Sequence, residues 1–560
     1  MRLFSFLLAV GVAGCALPSD DFGKRPVQSL ERPPPPIRGG TLGFDRDRDL
    51  AVVADPDRDR IHLVAFNPLR VTVTFDLPVG AEPGRVAVGE DRYWVALSGI
   101  DAVAELTPDT EGLEIHEACT RPQSVAVQER GVVVACATGE VMTYRADSTD
   151  VLAQLEPGIR DVVMRDDRWA VTRFREARLE GVTEPSQLRV PNYSYDDMEY
   201  VPAGATRIRA WAGKLYMLHS GQRLGPPRRP ARRIGYFEAA PPRDPCDSGA
   251  FSAALTVVPG ASSTSRLHTI RLVDDGRLRS DFAIDTTGQM AVVSPSQVGG
   301  AKAPLELFDV RPNPSRQCLQ PWRRVDLPGQ ATSVESTSHG FLVLLREPAA
   351  LWLEGEMLAL GGESRRDTGH DLFYFSTGRR GSCAHCHLDG GDDSHTWILP
   401  SGEQRRTIPL LGGLEGRPVL HWDGRYAEFE ELIGDHFSDS SLRLSDGQTA
   451  AFRSWVNQLP SAPSVRAPVP EGERIYVDLG CAGCHGTDGV PMVAMADVGT
   501  GRAKVPGLAG LAYRAPYMRT GCATTLSDRF DPDCGGHDHG SVDALSAGEL
   551  EALMNYLRAQ

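Results

Sequence analysis

Two short runs, Arg85-Val86-Ala87-Val88 and Tyr93-Trp94-Val95-Ala96, separated by a charged turn that contains Gly89, decide the fold of the first half of the chain. β-Branched and aromatic residues over a strand's length, a tight turn and a second apolar run make a strand pair. The same unit returns as Ser124-Val125-Ala126-Val127 with Val132-Val133-Val134-Ala135, and as Asp161-Val162-Val163-Met164 with Trp169-Ala170-Val171. Weaker copies begin near Thr206, Asp281 and Ala331, and an earlier one holds Leu50-Ala51-Val52-Val53-Ala54. Helical periodicity is nearly absent here. A period of about 40 residues built from short strands is the pattern of propeller blades of about four strands each. Allowing one diverged blade between Thr206 and Asp281, the expectation for residues 43–357 is a β-propeller of about seven blades, with six to eight compatible with the pattern. No catalytic constellation lies in it, so its expected role is a scaffold or docking platform. The run from Arg223 to Arg233, with Pro226, Pro227 and Pro230, reads as an exposed loop.

The whole chain has 560 residues, and at about 150 residues per domain several domains are expected. With 74 acidic and 59 basic residues the formal net charge is −15, which argues against a nucleic-acid surface and suits a basic redox partner. At the N-terminus Arg2 precedes an apolar stretch from Leu3 to Gly14, too short to span a bilayer and of the length of a signal-peptide core. Its end, Val12-Ala13-Gly14-Cys15, looks like a bacterial lipobox with Cys15 as the lipidated residue. The expectation is an exported lipoprotein of the bacterial envelope, periplasm or outer membrane, held to the membrane by its lipid. Residues 1–15 would be the signal peptide, and residues 16–42, with the Pro33 to Pro36 run, an extended tether.

In the second half stand Cys383-Ala384-His385-Cys386-His387 and Cys481-Ala482-Gly483-Cys484-His485. A Cys-x-x-Cys-His run places two thiols on one turn, within reach of the two vinyl groups of a porphyrin, and aims the adjacent imidazole at the iron. Two covalently bound haem c groups are therefore expected. Cys383, Cys386, Cys481 and Cys484 are the anchors, and His387 and His485 the proximal ligands. The remaining cysteines, Cys119, Cys136, Cys246, Cys318, Cys522 and Cys534, are even in number and compatible with three disulfides in an oxidising compartment, in that order of pairing or another. A leading helix near Gly369 or Gly472 and closing helices over 449–459 and 546–557 frame each motif. The last has Ser546 as cap, Glu549 at its third position and a stripe of Leu550, Leu553 and Leu557. This predicts two mainly α-helical haem domains, 358–463 and 464–560, behind the propeller.

Residues 365–560 resemble the bacterial di-haem cytochrome c peroxidases and their relatives that oxidise protein side chains. The likeness runs through the first haem motif, Arg406-Thr407-Ile408-Pro409-Leu410 and Trp422-Asp423-Gly424-Arg425, then the second motif, Val505-Pro506-Gly507-Leu508, Ala515-Pro516-Tyr517, Gly521 and Thr525-Leu526. The propeller half resembles bacterial YVTN-type β-propellers in pattern. The resemblance implies that Trp422 relays electrons between the haems and that His395, in Ser394-His395-Thr396-Trp397, is a displaceable sixth ligand of the first haem, with His421 and His436 as rivals. For the second haem the family's methionine before a glycine is replaced by His539-Gly540, which makes His539 the expected sixth ligand, with Met518, His537, Met492 and Met495 as alternatives. The family's catalytic glutamate is missing from Ser438-Asp439-Ser440-Ser441-Leu442-Arg443, where Asp439 is the sole acidic residue. The family also holds a calcium ion between its domains. Here the acidic loop Asp389-Gly390-Gly391-Asp392-Asp393 lacks calcium spacing and reads as a solvated turn. The expected function is redox chemistry: electron transfer with a partner protein or small donor, and peroxidase-like reduction of hydrogen peroxide at the first haem. The alternative is a non-catalytic electron-transfer lipoprotein docked through its propeller.

Overall fold

The computed structural model describes residues 25–560 apart from 130, 146–147, 196–197, 226–248, 261–265, 274–275, 298–302, 312–317, 377–380, 400, 438–441, 466–468 and 500, and apart from the side chains of residues 195 and 537. Of the sequence expectations, the signal peptide with Cys15, most of the Arg223 to Arg233 run, Cys246 and Asp439 lie outside the described residues.

Seven sheets follow one another along the first half, antiparallel but for one strand pair. Four-stranded sheets span 42–76, 83–117, 122–154 and 159–189, and further ones occupy 281–326 and 331–359. Between them lies a six-stranded sheet over 193–272, completed by Cys318–Leu319, which pairs in parallel with His268–Leu272. The first long strand of each sheet packs on that of the next, and Ala331–Thr337 packs on Leu42–Asp45, which closes the ring. All four strands of the first and last blades are contiguous in the chain, so closure comes from side-chain packing, not strand exchange. Leu42, Val53 and Phe66 share one apolar cluster with Leu342, Leu351 and Leu353. The Thr41 hydroxyl donates to Ser333 Oγ at 2.8 Å, and Arg346 pairs with Asp57 at 2.6 Å.

The stretch from Thr206 to Asp281 does not hold a separate diverged blade. It belongs to the fifth blade, whose strands Met198–Trp211 and Lys214–Leu224 run for 14 and 11 residues. A register shift between Ala203 and Arg207 lets this one hairpin continue past the usual blade length toward the C-terminal half. Charged residues on the inner strands pair across the central channel. Asp161, 1% exposed, accepts from Arg85 at 2.7 Å and Arg207 at 3.1 Å, and Arg209 pairs with Glu335 at 2.8 Å.

The C-terminal half contains two helical units of similar construction. In the first, α1 (Thr368–Phe373) leads to α2 (Cys383–Cys386), and α3 (Phe429–Phe437) and α4 (Asp446–Asn457) follow. In the second, α5 (Pro470–Asp478) leads to α6 (Ala482–His485), and α7 (Ala547–Ala559) closes the chain. Capping boxes start the two closing helices, Ser445 with Gln448 and Ser546 with Glu549. In each unit the leading helix crosses the closing helix at a glycine. A Cβ on Gly369 would stand 2.5 Å from Ala451 O, and one on Gly472 would collide with Ala552 O. Only glycine allows backbones this close.

Residues 25–41 are not a free tether. The Gln28 amide donates to Thr368 Oγ1 at 2.9 Å, the Ile37 amide to Tyr374 OH at 2.7 Å, and Trp455 Nε1 to Pro34 O at 3.3 Å. Pro34 and Pro36 are buried. The strap thus both donates to and accepts from the first helical unit, with Pro34 offering a carbonyl and no N–H. Among the described residues no helix is long and apolar enough to cross a membrane.

Candidate haem centres

Each Cys-x-x-Cys-His run lies on a single helical turn, α2 or α6, and the four cysteines of the two runs are free, half-buried thiols. In the first centre His387 Nδ1 lies 3.3 Å from Gly391 O. A hydrogen bond there fixes the tautomer and leaves Nε2 as the ligand atom. Burial pushes the His387 pKa down to about 4 and the Cys383 thiol up to about 12. In the second centre His485 Nδ1 lies 3.0 Å from Pro506 O, and burial lowers the His485 pKa. The His485 and His539 rings face each other with centroids 6.0 Å apart and planes at 41°. Metal–imidazole bonds of about 2.0 Å on both sides of one ion put two ring centres about 6 Å apart. Burial, then Arg529 and His485, push the His539 pKa down to about 3, so this imidazole is neutral, as a ligand must be. The residues present fit a covalently held haem in both motifs.

The disulfide Cys522–Cys534 closes the loop that delivers His539, and Cys119–Cys136 ties the linker between the second and third blades to a strand of the third. Cys318 is disulfide-bonded, and Cys246, the partner expected for it, lies outside the described residues. Among the alternative ligands, Met492 is 70% exposed and Met495 packs beside Gly424. Met518 packs beside Gly535, and the His537 side chain is not described.

Trp422 is 7% exposed and spans the two helical units. Its Nε1 donates to Arg406 O at 2.6 Å, while its own carbonyl accepts from the Lys504 amide at 2.8 Å. His395 is buried, with its ring edge-on to Trp397 at 4.6 Å and a hydrogen bond to the Arg223 backbone. Its Nε2 has no hydrogen-bond partner, and burial pushes its pKa down to about 4. The imidazoles that act electrostatically on His387 are His436 and His421.

The acidic loop is not a solvated turn. Asp392 is 3% exposed and Asp393 fully buried. Asp392 pairs with Arg175 of the fourth blade and with Arg406 at 2.7 Å. Asp389 pairs with Arg160 at 2.6 Å and Arg38 at 3.3 Å, and Gln222 Nε2 donates to Asp393 at 2.7 Å. Arginines take the charge of Asp389 and Asp392, and burial raises the Asp393 carboxyl, held by Gln222, to about 7, so these carboxylates do not fit a calcium ion. Arg175 also donates to the carbonyls of Tyr513 and Ala515, so one propeller side chain holds both helical units. Sequence reasoning missed Arg175, because nothing in the chain's pattern separates it from the other arginines.

The cytochrome c family model matches residues 469–560. None of the curated proteins compared with the chain is similar in sequence. Among solved structures, Kuenenia stuttgartiensis hydrazine synthase aligns at 12% identity and a TM-score of 0.41, covering 61% of this chain and 99% of that one. A second structure of that protein, pressurised with xenon, aligns at 19% identity and 0.29, covering 32% and 82%. A catalytically inactive virginiamycin B lyase from Staphylococcus aureus aligns at 8% and 0.38, covering 59% and 96%. Residues 469–560 are thus a cytochrome c domain, which indicates covalently bound haem c and electron transfer, carried behind a seven-bladed β-propeller.

Proposed function

We propose that this protein is an exported, lipid-anchored, two-haem electron carrier whose propeller docks it to a redox partner. The observation that carries the reading is the pair His485 and His539, with ring centroids 6.0 Å apart, a spacing that would let both imidazoles hold one iron. Haem c held there supplies a one-electron iron couple. Cys481 and Cys484 would anchor it, Pro506 O orients His485, and His539 would exclude exogenous ligands. The first helical unit is read as a second cytochrome c domain. The support is its shared construction: a glycine-crossed helix pair, an attachment turn, and a proximal histidine facing a backbone carbonyl. Trp422, bonded to both units, is the relay between them.

Pyridine-haemochrome counting and low-temperature electron paramagnetic resonance of the holoprotein test this reading. Two haems per chain, with one low-spin centre that turns high-spin in His539→Gly, are expected. One haem per chain, or a spectrum unchanged by His539→Gly, would overturn it.

A second reading is peroxidase-like chemistry at the first centre, with His395 as displaceable ligand. Its support is the buried Nε2 of His395 without a partner. Rapid mixing of the half-reduced protein with hydrogen peroxide separates the two: a first-haem spectral change within the mixing time favours the enzyme, and none favours the carrier.

A further inference from the structure

Between the propeller, the first helical unit and the cytochrome c domain lies a cavity of about 170 Å³. Its two carboxylates are already committed, Asp389 to Arg38 and Arg160, and Asp392 to Arg175 and Arg406. Four further cations line it, Arg121, Arg417, Lys504 and Arg514, and the last three act electrostatically on one another. Among the described residues none of the three has a carboxylate oxygen within 4.0 Å. Arg417 donates to Pro409 O at 2.9 Å and Leu411 O at 3.1 Å, Lys504 Nζ to Val419 O at 2.5 Å, and Arg514 to Gly507 O at 2.5 Å. Lys504 is 4% exposed and Arg514 8%.

Carbonyl dipoles orient these cations but do not neutralise them. Three like charges gathered around one space, where each of the two carboxylates is already shared by two other arginines, is a costly arrangement. The strain shows in the groups themselves: burial, reinforced by Arg417 and Arg514, pushes Lys504 down to about 8, and burial pushes Arg514 down to about 9. A chain that keeps such a cluster needs the missing charge from outside it.

We propose that this cavity is an oxyanion site, in which a carboxylate or phosphate-like group takes the charge of Arg417, Lys504 and Arg514. Two sources carry that chemistry. One is the propionate carboxylates of haem, because the carbonyls facing both proximal histidines, Gly391 O and Pro506 O, belong to residues of the cavity wall. This source rests on the two-haem reading. The other is a soluble oxyanion, which does not.

The test uses the full-length holoprotein as wild type, Lys504→Met and Arg514→Gln. Thermal midpoints are measured in inorganic phosphate and in chloride at matched ionic strength, and haem reduction potentials are followed from pH 5 to 8. An occupied site makes Lys504→Met less stable than wild type. With a soluble oxyanion, phosphate raises the wild-type midpoint saturably, and Lys504→Met weakens its apparent affinity about tenfold or more. With propionate as occupant, phosphate adds nothing over chloride. The pH at which the potential starts to fall then rises by about one unit in both variants, because a carboxylate that loses its cation titrates later. Variants as stable as wild type or more so, with neither phosphate nor pH response, would overturn the proposal, since they would show three cations without an occupant. Should Lys504→Met fail to fold, Arg417→Gln probes the same charge. Should the haem count fall short of two, the phosphate comparison decides alone.

Discussion

Replacing Asp392 with Asn removes the carboxylate on which Arg175 of the propeller and Arg406 of the first helical unit converge. Asp392 and Arg406 have side chains only 2% and 3% exposed, so solvent screening is small for that pair and larger for Arg175 at 19%. At an effective dielectric of about 20, an ion pair near 4 Å is worth about 4 kcal/mol before desolvation. Restoring the carboxylate's hydration offsets part of this, but both guanidinium groups stay buried without a counter-charge, so the expected loss is about 3–5 kcal/mol. A solvated turn would give less than about 0.5 kcal/mol. Urea unfolding, followed by tryptophan fluorescence and by Soret circular dichroism of the holoprotein, reads the difference. A double-mutant cycle with Arg406→Met assigns it to the pair, with a coupling of about 1–3 kcal/mol expected. Against the upward push of burial, Arg175 and Arg406 hold the Asp392 carboxyl below its ordinary value. Its contribution is therefore full above about pH 4 and disappears as pH falls through the lower folded value, so the deficit of the Asn variant should shrink on acidification. A loss under about 0.5 kcal/mol at neutral pH, or strict additivity in the cycle, would refute the buried-keystone account.

Asp161 should make the propeller acid-labile. Burial raises its pKa, but Arg85 and Arg207 outweigh it and bring the value to about 2, so stability present at neutral pH is lost between about pH 4 and 2, and Asp161→Asn should flatten that limb of the unfolding profile. Removing Cys522–Cys534 with paired serines should cost about 3 kcal/mol in unfolding experiments and, by loosening the loop before His539, add high-spin haem signal. Gly472→Ala should destabilise the cytochrome c domain by about 1–3 kcal/mol because its Cβ meets Ala552 O, while Gly480→Ala, whose Cβ meets nothing within 4 Å, should cost less despite its positive φ. His539→Met should raise the midpoint potential of the haem in the cytochrome c domain in a spectroelectrochemical titration.

The blades and attachment motifs were legible because their signals are local. Strand alternation at 85–96 and 124–135 repeats within a few residues, and a Cys-x-x-Cys-His run states its chemistry in one turn. The capping of the last helix by Ser546 and Glu549 was readable for the same reason. The fifth blade was harder. Its strands outrun the usual length, so the period near 40 breaks there and suggests an extra blade where one enlarged sheet stands. The acidic loop misled because carboxylates at 389, 392 and 393 are solvated in most turns, whereas here tertiary partners bury them, Arg160 and Arg175 from over two hundred residues away among them.

The sequence by itself determined the β-repeat, the two Cys-x-x-Cys-His turns and the histidines beside them, since each depends on residues within one turn or one hairpin. Only the tertiary structure decided what surrounds those turns. It laid the strap of residues 25–41 against the first helical unit, committed the acidic loop to Arg38, Arg160, Arg175 and Arg406, and set His539 opposite His485. These contacts join residues far apart in the chain, and their strength comes from shared burial, where removing water makes a charge or an imidazole depend on whatever faces it.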